Sequence, residues 1–292
     1  MSEYLTTTEL AELLRIKKRK VYDLAASGEI PCSRAMGKLL FPTDAIRAWI
    51  AAGGTGIVRT VAVSRPNVML GSHDPLLDWA IRESRCGLAT YFDGSVDGLQ
   101  RYASLEGIAA GMHLFDPATE NWNVPAVRDR FGDEPVVLVE WCWRERGLIF
   151  RPEMAATVKR LRDLRGRTVV PRQAEAGAQV LLNHLLSVEG ILPGRDTTFV
   201  NPARNETDAA LAVLDGKADA TFGLEALARQ YRLSFSPVVR ERFDLVVDRR
   251  AWFEAPWQTF IGFCRSGAFR EKAAEFAGYD TSGLGRVHFN GP

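Results

Sequence analysis

Val68-Met69-Leu70-Gly71-Ser72-His73-Asp74-Pro75 is a short apolar run that ends at a glycine and passes through a hydroxyl-bearing loop into a helical pattern. The same handover recurs along the chain. Leu88–Phe92, Ile108–Leu114 and Val136–Trp143 read as further strands, with helical spacing between the first three. A second series has strands at Thr168–Arg172, Thr197–Asn201 and Ala218–Phe222, and helices near Gly177–Val188, Thr207–Leu214 and Leu224–Gln230. Strands that alternate with helices pair in parallel, because each helix carries the chain back across the sheet. Two such series predict an α/β body of two lobes around a cleft.

Composition removes several alternatives. With 37 Lys and Arg against 36 Asp and Glu, and 46% hydrophobic residues, the chain has the make-up of an ordinary soluble protein. No stretch approaches the roughly 20 apolar residues of a membrane span. Met1–Leu5 lacks the basic region and apolar core of a secretion signal, so a cytoplasmic location is expected. Cys32, Cys86, Cys142 and Cys264 form no Cys-x-x-Cys pair, which argues for buried reduced thiols rather than a disulfide framework or a zinc site. His73, His113, His184 and His288 show no close ligand spacing, and neither a metal nor a cofactor is expected.

Residues 1–53 have a different character, with eight Lys and Arg against six Asp and Glu and four consecutive cations, Lys17-Lys18-Arg19-Lys20. Positive charge is thus a patch on a small unit. Thr6 and Glu9 have capping-box spacing, and Leu10, Leu13 and Leu14 follow at helical intervals, predicting a helix from about Thr7 to Arg15. Val21, Leu24 and Ala25 repeat the spacing. Two short helices this close form a helix-turn-helix whose second member carries Lys17 to Lys20 in its first turn. Gly28 ends that helix, Pro31 prevents its continuation, and Cys32–Phe41 reads as a hairpin with Arg34-Ala35-Met36-Gly37-Lys38 at its tip. Asp44 is placed to cap a third helix with Ile46, Trp49 and Ile50 on one face, and Gly53-Gly54-Thr55-Gly56 marks a linker.

Tyr4-Leu5-Thr6, Glu9-Leu10-Ala11, Val21-Tyr22, Gly28-Glu29-Ile30-Pro31, Gly37-Lys38 and Ala48-Trp49 together resemble the excisionase-type winged helix, a relative of the MerR DNA-binding domain. That resemblance implies double-stranded operator DNA as a partner, met by Lys17, Lys18, Arg19, Lys20, Tyr22, Arg34 and Lys38. The family usually has Gly where Arg15 stands and a capping Ser where Lys17 stands. Over residues 60–250, Gly71–Pro75, Gly94-Ser95, Ala110–Leu114, Arg144–Leu148, Gly216–Ala220 and Phe243–Val246 resemble the periplasmic-binding-protein-like domain fused to helix-turn-helix units in bacterial regulators and to molybdopterin-biosynthesis proteins. Its fold is similar to molybdate-binding proteins and LysR effector domains, the type II two-lobed arrangement with a ligand between the lobes. The expected organisation is a winged helix at 1–53, a linker at 54–58 and the effector body at 59–292.

Ser72 and Ser95 each follow a strand's carboxyl end and precede a helix, where free N–H groups and a hydroxyl can bind an anion. Arg172 and Gln173 occupy the equivalent place in the second lobe, Thr207 begins another helix, and His73 and His113 lie within the family phrases. A Gly-Ser-Gly-Thr-Arg run of the family is replaced by Ala174-Glu175-Ala176-Gly177-Ala178-Gln179, losing hydroxyls and gaining a carboxylate. Glu206 and Asp208 flank Thr207. These acids, Glu206 and Asp208 with Glu175, could receive an ammonium group, which makes a small zwitterion or amine-bearing metabolite plausible; the expected effector is a small polar or anionic metabolite, with a molybdate-type or tungstate-type oxyanion as the alternative. Ser72-His73-Asp74 cannot form a relay, since adjacent side chains diverge, so an enzyme is not expected. A transporter's solute-binding protein is opposed by the absence of a secretion signal and by the fused winged helix. A ligand-responsive transcriptional regulator, binding DNA as a homodimer or larger homo-oligomer, is the reading that remains.

Overall fold

Helical and strand spacings resolve, in the computed structural model, into two units, Met1–Ser64 and Arg65–Pro292. The residues described are 4–35, 38–51 and 65–292; Met36 and Gly37 of the hairpin tip and the expected linker, 54–58, lie outside them. The first unit runs β1 (Tyr4–Thr6), α1 (Thr7–Leu14), α2 (Lys18–Ala26), β2 (Ser33–Ala35), β3 (Lys38–Pro42) and α3 (Thr43–Ala51). β3 lies between β1 and β2 in an antiparallel sheet. The capping box forms as its spacing predicts: Glu9 N donates to Thr6 Oγ1 at 3.3 Å and Thr6 N to Glu9 Oε2 at 2.7 Å. Leu10, Val21, Ile30, Phe41, Ile46 and Trp49 make the core. Helices this short bury only a narrow stripe, and Leu13 and Ile50 are exposed against expectation. Asp44 also departs from its expected role, lying inside the first turn of α3, where it complements the helix dipole.

The second unit opens with β4 (Val68–Gly71), α4 (Pro75–Ser84), β5 (Ala89–Phe92), α5 (Ser95–Ala103) and β6 (Ala109–Met112), with β5 and β6 both parallel to β4. A hairpin of β7 (Phe115–Asp116) and β8 (Asn121–Trp122) and helix α6 (Val124–Phe131) lead into β9 (Val136–Phe150). A second parallel set follows: β10 (Thr168–Val170), α7 (Gly177–Val188), β11 (Thr198–Phe199), α8 (Glu206–Leu214), β12 (Ala220–Leu224) and α9 (Glu225–Gln230). β13 (Ser234–Asp248) returns antiparallel to β9. α10 (Ala255–Cys264) and α11 (Gly267–Glu275) then pack on the first set, and β14 (Tyr279–Asp280) and β15 (Val287–Asn290) pair with β9.

The sheet order β11-β10-β12-β9-β13-β6-β4-β5 joins two parallel trios through two antiparallel strands of 15 residues each. Sequence spacing anticipates the trios and the first half of β9, Val136–Trp143, but not its continuation to Phe150 or the length of β13. Met69, Leu77, Trp141, Trp257 and Phe260 lie in one core of the first lobe, and Leu148, Leu164, Val169, Leu181 and Phe222 in one of the second. Cys86, Cys142 and Cys264 are buried free thiols, whereas Cys32, expected to be buried, is exposed. Among the described residues no helix is long and apolar enough to cross a membrane.

Candidate functional site

In the first unit, Lys17 is the N-cap of α2 and Lys18, Arg19 and Lys20 form its first turn, all four exposed. The Lys17 side chain makes no cap hydrogen bond and the first turn holds no acid. Cations at a helix N-terminus oppose the dipole, each by about 0.3–1 kcal/mol, while an anion there is favoured by both the dipole and the cations. This end of α2 is therefore poor for stability and suited to phosphate. Tyr22 and Lys38 line one surface groove with Thr6, Thr7 and Thr8. Arg34 lies in β2 with its backbone paired to Leu39.

In the second unit a cleft of about 30 Å³ lies between the lobes, with Ser72, His73, Gly94 and His113 on one wall and Arg172, Asn205 and Glu206 on the other. Gly71 makes the first wall possible: its φ of +102° turns β4 into the loop, and a Cβ there would fall 2.1 Å from Gly111 O. Ser72 and Ser95 hydroxyls lie 2.7 Å apart, and Ser95 Oγ also accepts from His113 N at 3.2 Å. Ser72 lines the cleft, and Ser95 is fully buried beneath it. Arg172 is held by its own lobe, donating to the carbonyls of Ala203 and Arg204 and lying 3.4 Å from Glu206 Oε1. Burial pulls its pKa below the ordinary arginine value, and Glu206 opposes that shift. Gln173 accepts from Ala176 N, Glu175 and Asp208 are exposed, and Asp208 is tied to the Asn205 cap of α8. Gln173, Glu175, Thr207 and Asp208 do not line the cleft; Glu206, one turn position away, does.

Beneath the cleft, a chain of buried charges crosses β9 and β13; Asp74, His113, Arg144, Arg146 and Glu206 fall in stretches singled out from the sequence, and Glu241 does not. Asp74 Oδ1 accepts from Leu77 N at 2.8 Å and Trp141 Nε1 at 3.0 Å, and Oδ2 from Arg144 at 2.7 Å and the Tyr279 hydroxyl at 2.6 Å. Arg144 also donates to Glu241 Oε1. Glu241 Oε2 accepts from Arg146 Nε at 2.7 Å and lies 3.0 Å from His113 Nδ1. Arg146 Nη1 then reaches Glu206 Oε1 at 2.9 Å. Burial pushes the Glu241 carboxyl up, but Arg144, Arg146 and His113 outweigh it and hold it well below the usual range. Burial likewise raises Glu206, and Arg146 and Arg172 bring it net below its ordinary value. Burial lowers His113 despite Glu241, so the neutral ring donates Nδ1–H to the carboxylate.

Of the six carboxylate oxygens of Asp74, Glu241 and Glu206, only Glu206 Oε2 has no donor among the described residues, and on the donor side Arg144 Nε and Arg146 Nη2 are likewise unmatched there. The carboxylate oxygens of Asp74 and Glu241 are thus all matched, and the unmatched acceptor belongs to Glu206, which lines the cleft. Among the described residues no group of three or more His, Cys, Asp or Glu could hold a metal ion. Asp74 is committed to the buried chain and Ser72 to Ser95, so Ser72-His73-Asp74 makes no catalytic relay.

Comparison with known proteins agrees with both units. A family model for a helix-turn-helix domain matches residues 4–54. "Uncharacterized protein YvgK" of Bacillus subtilis (strain 168) is 24% identical over 299 residues, covering 97% of this chain and 96% of that protein. The ancestral amino acid-binding protein AncCDT-1, a precursor of cyclohexadienyl dehydratase, has a TM-score of 0.50 at 11% identity, over 72% of this chain and 93% of its own. CbnR, a LysR family transcriptional regulator, has a TM-score of 0.43 at 15% identity, over 89% of this chain and 94% of its own. A family model for the PBP superfamily domain matches residues 79–265, well over half the chain, and the protein therefore belongs to the PBP superfamily, with a helix-turn-helix domain at its N-terminus.

Proposed function

We propose that the protein is a one-component transcriptional regulator in which the winged helix binds operator DNA and the cleft binds a small effector carrying both an anionic group and an N–H cation. Ser72 and Arg172 receive the anion from opposite lobes. Glu206 receives the cation; of the acids Glu175, Glu206 and Asp208 offered by the sequence for that role, it is the one in the cleft lining. The carrying observation is Glu206 itself: an ionised, buried carboxylate in the cleft lining whose Oε2 has no donor among the described residues. Leaving such an atom unmatched costs about 1–3 kcal/mol, and an ammonium supplies the missing donor. A dianion such as molybdate would face that carboxylate instead, which disfavours the oxyanion reading. The helix-turn-helix unit distinguishes a regulator from a transporter's solute-binding protein. Two winged helices on paired half-sites give the surface that one lacks, so the DNA-bound form is a homodimer or larger homo-oligomer.

Thermal shift with matched probes tests this: 2-aminoethanesulfonate against 2-hydroxyethanesulfonate, glycine against glycolate, and molybdate alone. An amine-bearing member at 100 times its dissociation constant stabilises by about 2.7 kcal/mol, and its hydroxyl partner does not. Glu206→Gln abolishes the preference and Arg172→Ala weakens binding more than about tenfold. Molybdate or the hydroxyl probes binding as well as the amines would reject the cation-bearing effector.

A further inference from the structure

Lys159-Arg160-Leu161-Arg162-Asp163-Leu164-Arg165-Gly166-Arg167 places five cations and one acid within nine residues of the second lobe. Val158, Leu161 and Leu164 recur every third residue, as the 3-10 turn at Leu161–Leu164 requires, and all three are buried in the core beneath. The spacing that anchors the backbone turns the cations outward. Arg195 joins them, since it and Arg165 both pair with Asp196.

Local acids do not balance this surface. Arg160 meets Asp163, and Arg162 meets Glu189, only at 3.8 Å. The side chains of Arg160, Arg162 and Arg195 remain 64%, 54% and 69% exposed. Six cations thus share four acids, Asp163, Glu189, Asp196 and, beside Arg167, Asp219. Residues 65–292 as a whole hold 28 Lys and Arg against 30 Asp and Glu, so the excess is local to an otherwise slightly acidic body. Five of the six cations are arginines, whose forked N–H donors match phosphate oxygens and whose weak hydration lowers the cost of contact.

Resting on the DNA-binding reading above, we propose that this arginine surface grips the phosphate backbone of the duplex held by the winged helix, as a second anchor that reads no bases. A duplex held by the first unit is tethered to the second through the single stretch of chain between residues 51 and 65. Tethering holds phosphates near the surface at high effective concentration, so contacts too weak to act alone add to affinity. Phosphate contacts of this kind set register and orientation and leave specificity to the recognition helix.

The test uses the full chain and fluorescence anisotropy over a salt series, with labelled duplexes of about 20 and about 60 base pairs sharing one central sequence. The variant Arg160→Ala/Arg162→Ala/Arg195→Ala, altered only at exposed positions, binds the longer duplex about tenfold more weakly, and its salt slope falls by about one unit for each phosphate left without its arginine. Its affinity for the shorter duplex changes little. Arg160→Glu/Arg195→Glu weakens the longer complex further. Wild-type affinity and slope for both variants on both duplexes would overturn the proposal and leave the surface to an acidic protein or to solvent. Lys18→Ala/Arg19→Ala/Lys20→Ala separates the two levels: failure to bind either duplex upholds the winged-helix reading whatever the arginine surface does. Wild-type binding by that variant, or no binding by the wild type, overturns the reading and the proposal together.

Discussion

Arg15 and Lys17 are two residues at which this chain accepts local strain. Arg15 ends α1 at φ 53° and ψ 41°, the left-handed region where a Cβ costs about 1–2 kcal/mol and glycine costs little. That explains the glycine expected there from the winged-helix resemblance. Lys17 occupies the N-cap of α2 with no side-chain hydrogen bond, where a serine would contribute about 1 kcal/mol. Arg15→Gly and Lys17→Ser should each stabilise the first unit by roughly 0.5–1 kcal/mol, seen as slower amide exchange in α1 and α2. Lys17→Ser should also weaken DNA binding and lower the salt slope. Unchanged affinity would remove Lys17 from the DNA contacts and leave the missing cap unexplained.

At the level of elements, the lobes meet where α7 begins. A Cβ on Gly177 would lie 2.9 Å from both His113 O and Ser95 Oγ of the opposite lobe, so closure depends on the absence of a side chain at that point. Gly177→Val should hold the lobes apart, weakening effector binding by more than about tenfold while thermal stability falls little, because α7 itself keeps its packing. Calorimetry together with a larger radius of gyration in solution scattering would support this; tight binding with unchanged dimensions would not. β13 carries a second device in Asp244, where Arg242 Nε and Asn123 Nδ2 donate to the carboxylate. Burial pushes its pKa up to about 6, against the pull of Arg242 and Asn123. The folded state thus holds this proton more tightly than the unfolded chain, and the resulting stability is full below about pH 4 and is lost as pH rises through about 6. The difference in unfolding free energy between wild type and Asp244→Asn should fall by about 2 kcal/mol from pH 4 to pH 7, and a flat difference would place the titration elsewhere.

For the whole molecule, a regulator requires the effector and DNA equilibria to be coupled. Coupling between binding equilibria is reciprocal: if effector changes DNA affinity by some factor, saturating DNA must change effector affinity by the same factor, typically 5–150-fold. Titrating the effector by calorimetry with and without bound duplex measures one side, and anisotropy with and without effector the other. Two measurable but unequal factors would point to a change of oligomeric state during binding. Equal factors of one would mean that the two units are independent, leaving the cleft a receptor without an output.

Short-range periodicity carried much of the fold. The capping box at Thr6 and Glu9, α7 at Gly177–Val188 and β4 at Val68–Gly71 occur at the residues read from spacing alone, because neighbours within one turn or one pleat decide such elements. The buried charges of the connecting strands could not be read this way. Arg144-Glu145-Arg146 has the alternating charge of a solvated strand or loop, yet lies inside a 15-residue strand with both arginines fully buried. The partners that make this tolerable come from far along the chain, Asp74 and Tyr279 being 205 residues apart. Trp141 and Trp143 are two residues apart, a spacing that shares one face in a regular strand, yet pack in different cores, because Cys142 pairs with Phe243 and Glu140 with Asp244, leaving Trp141 as an unpaired bulge. In the cleft, Ser72 and Arg172 are visible in the sequence as loop residues after strands and Glu206 as an acid flanking Thr207, while its burial and its pairing with Arg146 are not. Sequence therefore determined the elements, the order of the two units and the loops that converge. Only the tertiary structure decided which charges are buried, because burial and pairing depend on distant partners, whereas a buried ion pair and a solvated one are spelled with the same residues.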